Sequence, residues 1–116
     1  MNIPNLNWTP LKNDELRWIM VDFDETLCHN SGLPNFYPLE PIEGAKEAMQ
    51  TLTDRGYKIT VFTARGWSDY SLIETWLNYY SIPFRRIICG KPLARWLIDD
   101  RAMQFKGDWK EITDRL

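Results

Sequence analysis

The chain is poor in the residues that staple small domains. Its 116 residues include two cysteines, Cys28 and Cys89, and one histidine, His29. Two cysteines outside any CxxC pair exclude a disulfide framework, and they read as small, semi-buried thiols in a reducing compartment. A basic excess is also missing. The formal net charge is −2, so no global field gathers nucleic acid or an anionic membrane. No apolar run approaches the roughly 20 residues of a membrane span. The first residues lack the basic and apolar regions of a signal peptide, so a cytoplasmic location is expected. What is present is an ordinary globular balance, 44% hydrophobic and 26% charged, which excludes disorder and suits one domain over residues 1–116. The charge is uneven: residues 1–80 carry six basic and eleven acidic side chains, residues 81–116 eight and five.

Residues 1–16 hold two prolines and four asparagines without a sustained period and read as an irregular arm. Residues 16–23 form a compact apolar run, the pattern of a strand buried on both faces. Residues 28–41, with Gly32, Pro34, Pro38 and Pro41, predict a loop. A helix comes next, with Ile42, Ala45, Met49 and Leu52 on one face and Gly56 as its stop. Residues 58–62 predict a second buried strand. Ser68 or Asp69 caps a helix striped by Leu72, Ile73, Trp76, Leu77 and Tyr80, ended by Ile82-Pro83. Short strands are predicted at 87–89, 96–98 and, more weakly, 102–105. Asp108 with Glu111 opens a last helix that turns Trp109, Ile112 and Leu116 inward. This alternation predicts an α/β fold, a mostly parallel sheet wrapped by helices, with no repeat or linker.

The residues just beyond each strand carry the chemistry. The first strand leads into Asp22-Phe23-Asp24-Glu25-Thr26, the second into Thr63-Ala64-Arg65-Gly66, a later one into Asp99-Asp100-Arg101, with Gly90-Lys91-Pro92 between. In an open parallel sheet ligands bind beyond the carboxyl ends of the strands, so these groups are expected at one edge. Several carboxylates sharing that edge require a cation, and oxygen-only ligands suit Mg2+. Lys91 and Arg65 then need an anion, and a phosphate on the metal supplies it. One free carboxylate as nucleophile and a second for proton transfer complete the outline of metal-assisted phosphoryl transfer. Each fragment alone has a blander reading: a polar loop, a solvated Asp-Asp turn, a surface lysine. Their joint order after predicted strands is what favours the site.

These residues resemble the haloacid dehalogenase (HAD) superfamily of phosphohydrolases. Asp22-Phe23-Asp24-Glu25-Thr26 matches its Asp-x-Asp-x-Thr motif, Val61-Phe62-Thr63 the second, Lys91 the third, and Leu97-Ile98-Asp99-Asp100 the fourth, across residues 17–101. Lys91 lies only eight residues before Asp99, a compact spacing similar to small bacterial and phage HAD phosphatases. The resemblance implies a Rossmann-like core with Asp22 as nucleophile and Asp24 as the group that protonates the leaving alcohol and then activates water. It implies that Thr63, Ala64, Arg65 and Lys91 hold phosphate. It places Mg2+ on Asp22, the main-chain carbonyl of Asp24, and Asp99 or Asp100, with Asp100 favoured as the direct ligand. Asp24 argues for phosphoryl rather than dehalogenase chemistry. Residues 27–41 leave no room for a cap domain, so the site is expected to be open and able to admit a large phosphorylated substrate.

The implied activity is that of a magnesium-dependent phosphomonoesterase acting through an aspartyl-phosphate. Thr-Ala-Arg and Asp-Asp-Arg also resemble polynucleotide 3′-phosphatases, an alternative weakened by the acidic balance, so nucleic acid is the less favoured partner. A catalytically silent binding module is the alternative from another class. His29 reads as a solvated loop histidine, Arg85-Arg86 as a solvated turn, and Trp18, Trp76 and Trp109 as packing. Trp67, directly after Arg65-Gly66, suits either a substrate ring or a homo-oligomer contact, and Trp8 is not easily buried.

Overall fold

The computed structural model describes residues 15–30, 32 and 37–116. Residues 1–14, with Trp8 and most of the arm, lie outside them. A 3-10 turn at Glu15–Arg17 leads into β1 (Trp18–Val21), and then come β2 (Cys28–Asn30), β3 (Pro38–Pro41), α1 (Ala45–Asp54), β4 (Lys58–Phe62), α2 (Tyr70–Tyr79), β5 (Arg86–Ile88) and α3 (Trp109–Asp114). β1, β4 and β5 form a parallel sheet in the order β1-β4-β5, and β2 pairs antiparallel with β3. The fold is thus a small α/β domain with a three-stranded parallel sheet, helices against it, and a separate hairpin.

β4 is the central strand, and its middle residues Ile59, Thr60 and Val61 are all buried. That is why its sequence runs apolar without alternation. Register pairs Trp18 with Lys58, Met20 with Thr60, and Thr60 with Arg86, placing these on one face of the sheet. The other face, with Val21, Ile59, Val61 and Ile87, enters the core. α1 adds Ala45, Ala48, Met49 and Leu52 to that core, and α2 adds Ile73, Trp76 and Leu77, each at helical spacing. Phe23 stands edge-on to Trp76 with ring centroids 5.2 Å apart. The indoles of Trp76 and Trp109 donate to the carbonyls of Leu39 and Thr26, at 2.8 and 2.9 Å. Both tryptophans therefore pack and also tie the hairpin and the turn before it to the helices.

Both long helices end in the same device. After α1, Tyr57 N–H bonds to the Leu52 carbonyl and Gly56 N–H to that of Thr53, with Gly56 at φ +92°. After α2, Ile82 and Ser81 N–H bond to the carbonyls of Leu77 and Asn78, but here Ser81 takes the left-handed position at φ +55°. α3 starts as its sequence predicts: the Asp108 carboxylate accepts from the amides of Lys110 and Glu111.

Four expectations need correction. The 28–41 segment is not all loop, since β2 and β3 pair across it, with Cys28 opposite Pro41 and Asn30 opposite Pro38. Proline lacks the ladder donor but is tolerated in such an edge pairing. Residues 96–98 and 102–105 are not strands: Trp96, Leu97 and Ile98 are 73%, 71% and 96% exposed. They find no neighbour in the sheet, so their local apolarity has nothing to pair with. Arg86 is not in a solvated turn; it lies in β5, donates to Thr60 Oγ1 at 2.8 Å and covers the Trp18 ring at 4.2 Å. Asp69 precedes α2 but makes no side-chain cap, because its carboxylate is engaged elsewhere. Among the described residues no helix is long and apolar enough to cross a membrane.

Candidate functional site

The carboxyl ends of β1 and β4 and the segment leaving β5 meet at one edge. Thr63 N–H bonds to the Ile88 carbonyl, Lys91 N–H to that of Thr63, and Gly90 N–H to that of Arg65, at 3.0, 2.9 and 2.8 Å. These bonds stitch the Thr63–Gly66 turn to Gly90-Lys91. The Lys91 ammonium stands 3.5 Å from Asp22 Oδ1. Asp22, Thr63, Ala64, Arg65 and Lys91 thus share one rim, as the sequence predicts.

Asp22 and Asp24 are held differently. Asp22 is 38% exposed, and among the described residues Lys91 and the Thr26 hydroxyl (3.4 Å) stand against it. Asp24 is enclosed in donors. Arg65 forks onto it, Nε to Oδ2 at 2.9 Å and Nη2 to Oδ1 at 2.8 Å, and Asn30 Nδ2 donates to Oδ1 at 2.9 Å. The third guanidinium nitrogen reaches Asp69 Oδ2 at 3.2 Å, which is why Asp69 does not cap α2. Arg65 is only 7% exposed, and its bond to Asp24 raises its pKa further above an already high value. Arg65 therefore orders Asp24. The loop between the two acids is tight: Glu25 takes φ +60°, its amide bonds to the Cys28 carbonyl, and its carboxylate accepts from Asn30 N–H at 2.7 Å.

Thr63 is fully buried, and its hydroxyl accepts from Arg65 N–H at 3.1 Å, which shapes the turn after β4. Cys28, also buried, lies beside Asp24; burial first, then that carboxylate, pushes its thiol up to about 12. It is therefore a packing group and not a nucleophile. Cys89 is likewise buried with its thiol raised by burial. His29 is exposed in β2, as a solvated histidine should be.

Asp99 and Asp100 are not drawn into this arrangement. They sit in the exposed 92–104 segment, where Arg101 Nε lies 3.8 Å from each and Arg101 N–H donates to Asp99 at 2.9 Å. That amide holds the Asp99 carboxyl below its usual range. Among the described residues no group of three or more His, Cys, Asp or Glu is placed to hold a metal ion. The residues as arranged do not fit the expected magnesium site, because each acid that would ligate it is instead faced by a cation of the chain.

Sequence reasoning missed Asn30 and Asp69 as the groups that fix Asp24 and Arg65. The Arg65–Asp69 pair carried a signal, the i,i+4 spacing; Asn30 reaches Asp24 only through the unforeseen hairpin. No protein-family model and no curated protein matches the chain. A crystal structure of a structural-genomics target from Vibrio cholerae is similar in fold, with a TM-score of 0.63 and 21% identity, covering 85% of this chain and 98% of that one. The class these features define is a small parallel α/β domain with an Asp-Lys pair at its strand ends.

Proposed function

We propose that the protein is a phosphomonoester hydrolase of the HAD type. The observation that carries this is the convergence of Asp22, Thr63 and Lys91 at the carboxyl ends of parallel strands, with the lysine 3.5 Å from the less encumbered acid. An Asp22 oxygen attacks phosphorus while the phosphorus–oxygen bond to the alcohol breaks, and the alcohol takes a proton from Asp24. Water, giving a proton back to Asp24, then cleaves the aspartyl-phosphate and releases inorganic phosphate and the Asp22 carboxylate. Lys91 offsets charge on the phosphoryl oxygens throughout. To exchange protons, Asp24 must turn at least one oxygen out of the Arg65 fork. Magnesium is implied by the sequence resemblance alone.

A second reading, a phosphate-ester binding module without turnover, is favoured by the same Arg65 fork and by the pairing of Asp99 and Asp100 with Arg101 in an exposed segment. Phosphate release from a panel of phosphomonoesters, with magnesium and with chelator, separates the two. Hydrolysis that is lost in Asp22→Asn, with the fold intact, supports the enzyme. Calorimetric binding of phosphate esters without any release supports the module. Turnover undiminished in Asp22→Asn overturns the covalent route, and turnover undiminished in chelator removes magnesium.

A further inference from the structure

Trp67 is the large side chain on this rim that the proposed hydrolysis does not use. It opens the 3-10 turn after the Thr63–Gly66 loop, and the turn is pinned by the Asp69 N–H to Gly66 carbonyl bond at 3.0 Å. The indole is 60% exposed and contributes nothing to the core. It is nevertheless positioned. Tyr70 stacks against it with planes 14° apart and centroids 6.1 Å apart. Its Nε1 lies 3.7 Å from where a Cβ would stand at Gly90, an ordinary van der Waals distance. Gly90, at φ +82°, supplies the left-handed turn beside it. The next residue is Lys91, whose ammonium faces Asp22.

We propose that Trp67 is a stacking platform that selects phosphate esters whose alcohol carries a flat heteroaromatic ring, the chemistry of a nucleotide. This rests on the reading of Asp22 and Lys91 as a phosphate site. With the phosphoryl group set against both Asp22 and Lys91, the ester oxygen and what it carries face the rim where Trp67 stands. The indole is exposed and Tyr70 lies near-parallel to it, so a flat ring extends the stack. A sugar ring would also need acceptors for its hydroxyls, and the nearby carboxylates Asp24 and Asp69 are both held by Arg65. The acidic balance of the chain favours a mononucleotide over a polynucleotide end, two sources of the same terminal phosphate and base.

The test compares adenosine 5′-monophosphate, a 3′-phosphorylated oligonucleotide and glycerol 1-phosphate on the full chain and on Trp67→Ala and Trp67→Phe. The wild-type protein should prefer the mononucleotide to glycerol phosphate in kcat/KM. Trp67→Ala should lower that preference about tenfold, through KM and not kcat, and Trp67→Phe should restore most of it. Preference for the oligonucleotide arm with the same Trp67 dependence supports the platform and changes only the source. Equal loss for mononucleotide and glycerol phosphate overturns it, as does a change in solution mass in Trp67→Ala without a KM split, which would make the indole a contact between copies. Should no ester be hydrolysed while calorimetry shows Trp67-dependent mononucleotide binding, the platform stands and the hydrolase reading fails.

Discussion

Arg65→Lys isolates the fork that orders Asp24. The substitution keeps the positive charge but removes the planar pair of donors that meets both Asp24 oxygens at 2.8 and 2.9 Å and the third contact to Asp69 at 3.2 Å. Hydrogen bonds to charged groups contribute about 1.5–3 kcal/mol each. Asp24 and Asp69 are 28% and 39% exposed, so water recovers part of the loss, whereas the 7% exposed guanidinium site leaves a lysine poorly solvated. The Arg65 guanidinium also lies 5.6 Å from the Phe23 ring centre, a contact of about 0.5–1 kcal/mol that a lysine would make less well. Together these give a loss of about 2 kcal/mol. With a urea slope of about 1–3 kcal/mol/M, the unfolding midpoint, read by tryptophan fluorescence, should fall by about 1 M. A double-mutant cycle with Asp24→Asn should return a coupling of more than about 1 kcal/mol. An Arg65→Lys variant within about 0.5 kcal/mol of wild type, or no coupling in the cycle, would refute the fork as a structural tie.

Local geometry sets two further outcomes. Cys28 has its thiol pushed up to about 12 from an ordinary 9.0, so the folded state holds the proton more tightly than the unfolded state. Its contribution is complete below pH 9 and lost as pH rises toward 12, at no more than about 1.4 kcal/mol per pH unit; urea unfolding at pH 7.5 and 10.5 should show a larger loss in wild type than in Cys28→Ala. Ser81 occupies a left-handed helix-end position at φ +55°, so Ser81→Gly should stabilise the fold by about 0.5–1 kcal/mol in thermal or urea unfolding, and a destabilised variant would contradict the cap assignment.

The sequence made the fold's centre legible where one physical signal dominates. Lys58–Phe62 reads as a buried strand because it is central, and the stripes on α1 and α2 keep the helical period because each packs one face. Asp108 caps α3 because its carboxylate reaches the amides of Lys110 and Glu111. Asp69 looks equally suitable, yet Arg65 takes it, a choice that depends on where β4 delivers the arginine. Residues 96–98 show the limit most clearly: three apolar residues carry strand propensity, but propensity does not supply a neighbouring strand. Of the candidate site, Asp22, Asp24, Thr63, Arg65 and Lys91 were legible because each lies just beyond a parallel strand. Arg65's attachment to Asp24 was not legible, since it depends on tertiary geometry.

β1 ends the sheet's order, and among the described residues its outer backbone groups have no strand beside them. Such an edge is a template on which another chain can pair. β1 spans only four residues, with Met20 64% exposed, and it runs straight into Asp22, Asp24 and Glu25. Lys91 and Arg65 face Asp22 and Asp24, and charged groups of both signs at the end of a short edge make it a poor template for an incoming strand. The acids read as chemistry thus also lie where charges make a sheet edge less adhesive. Neutralising them to probe catalysis would lower that barrier, so the solubility of such variants is a property of the β1 edge as much as of the site.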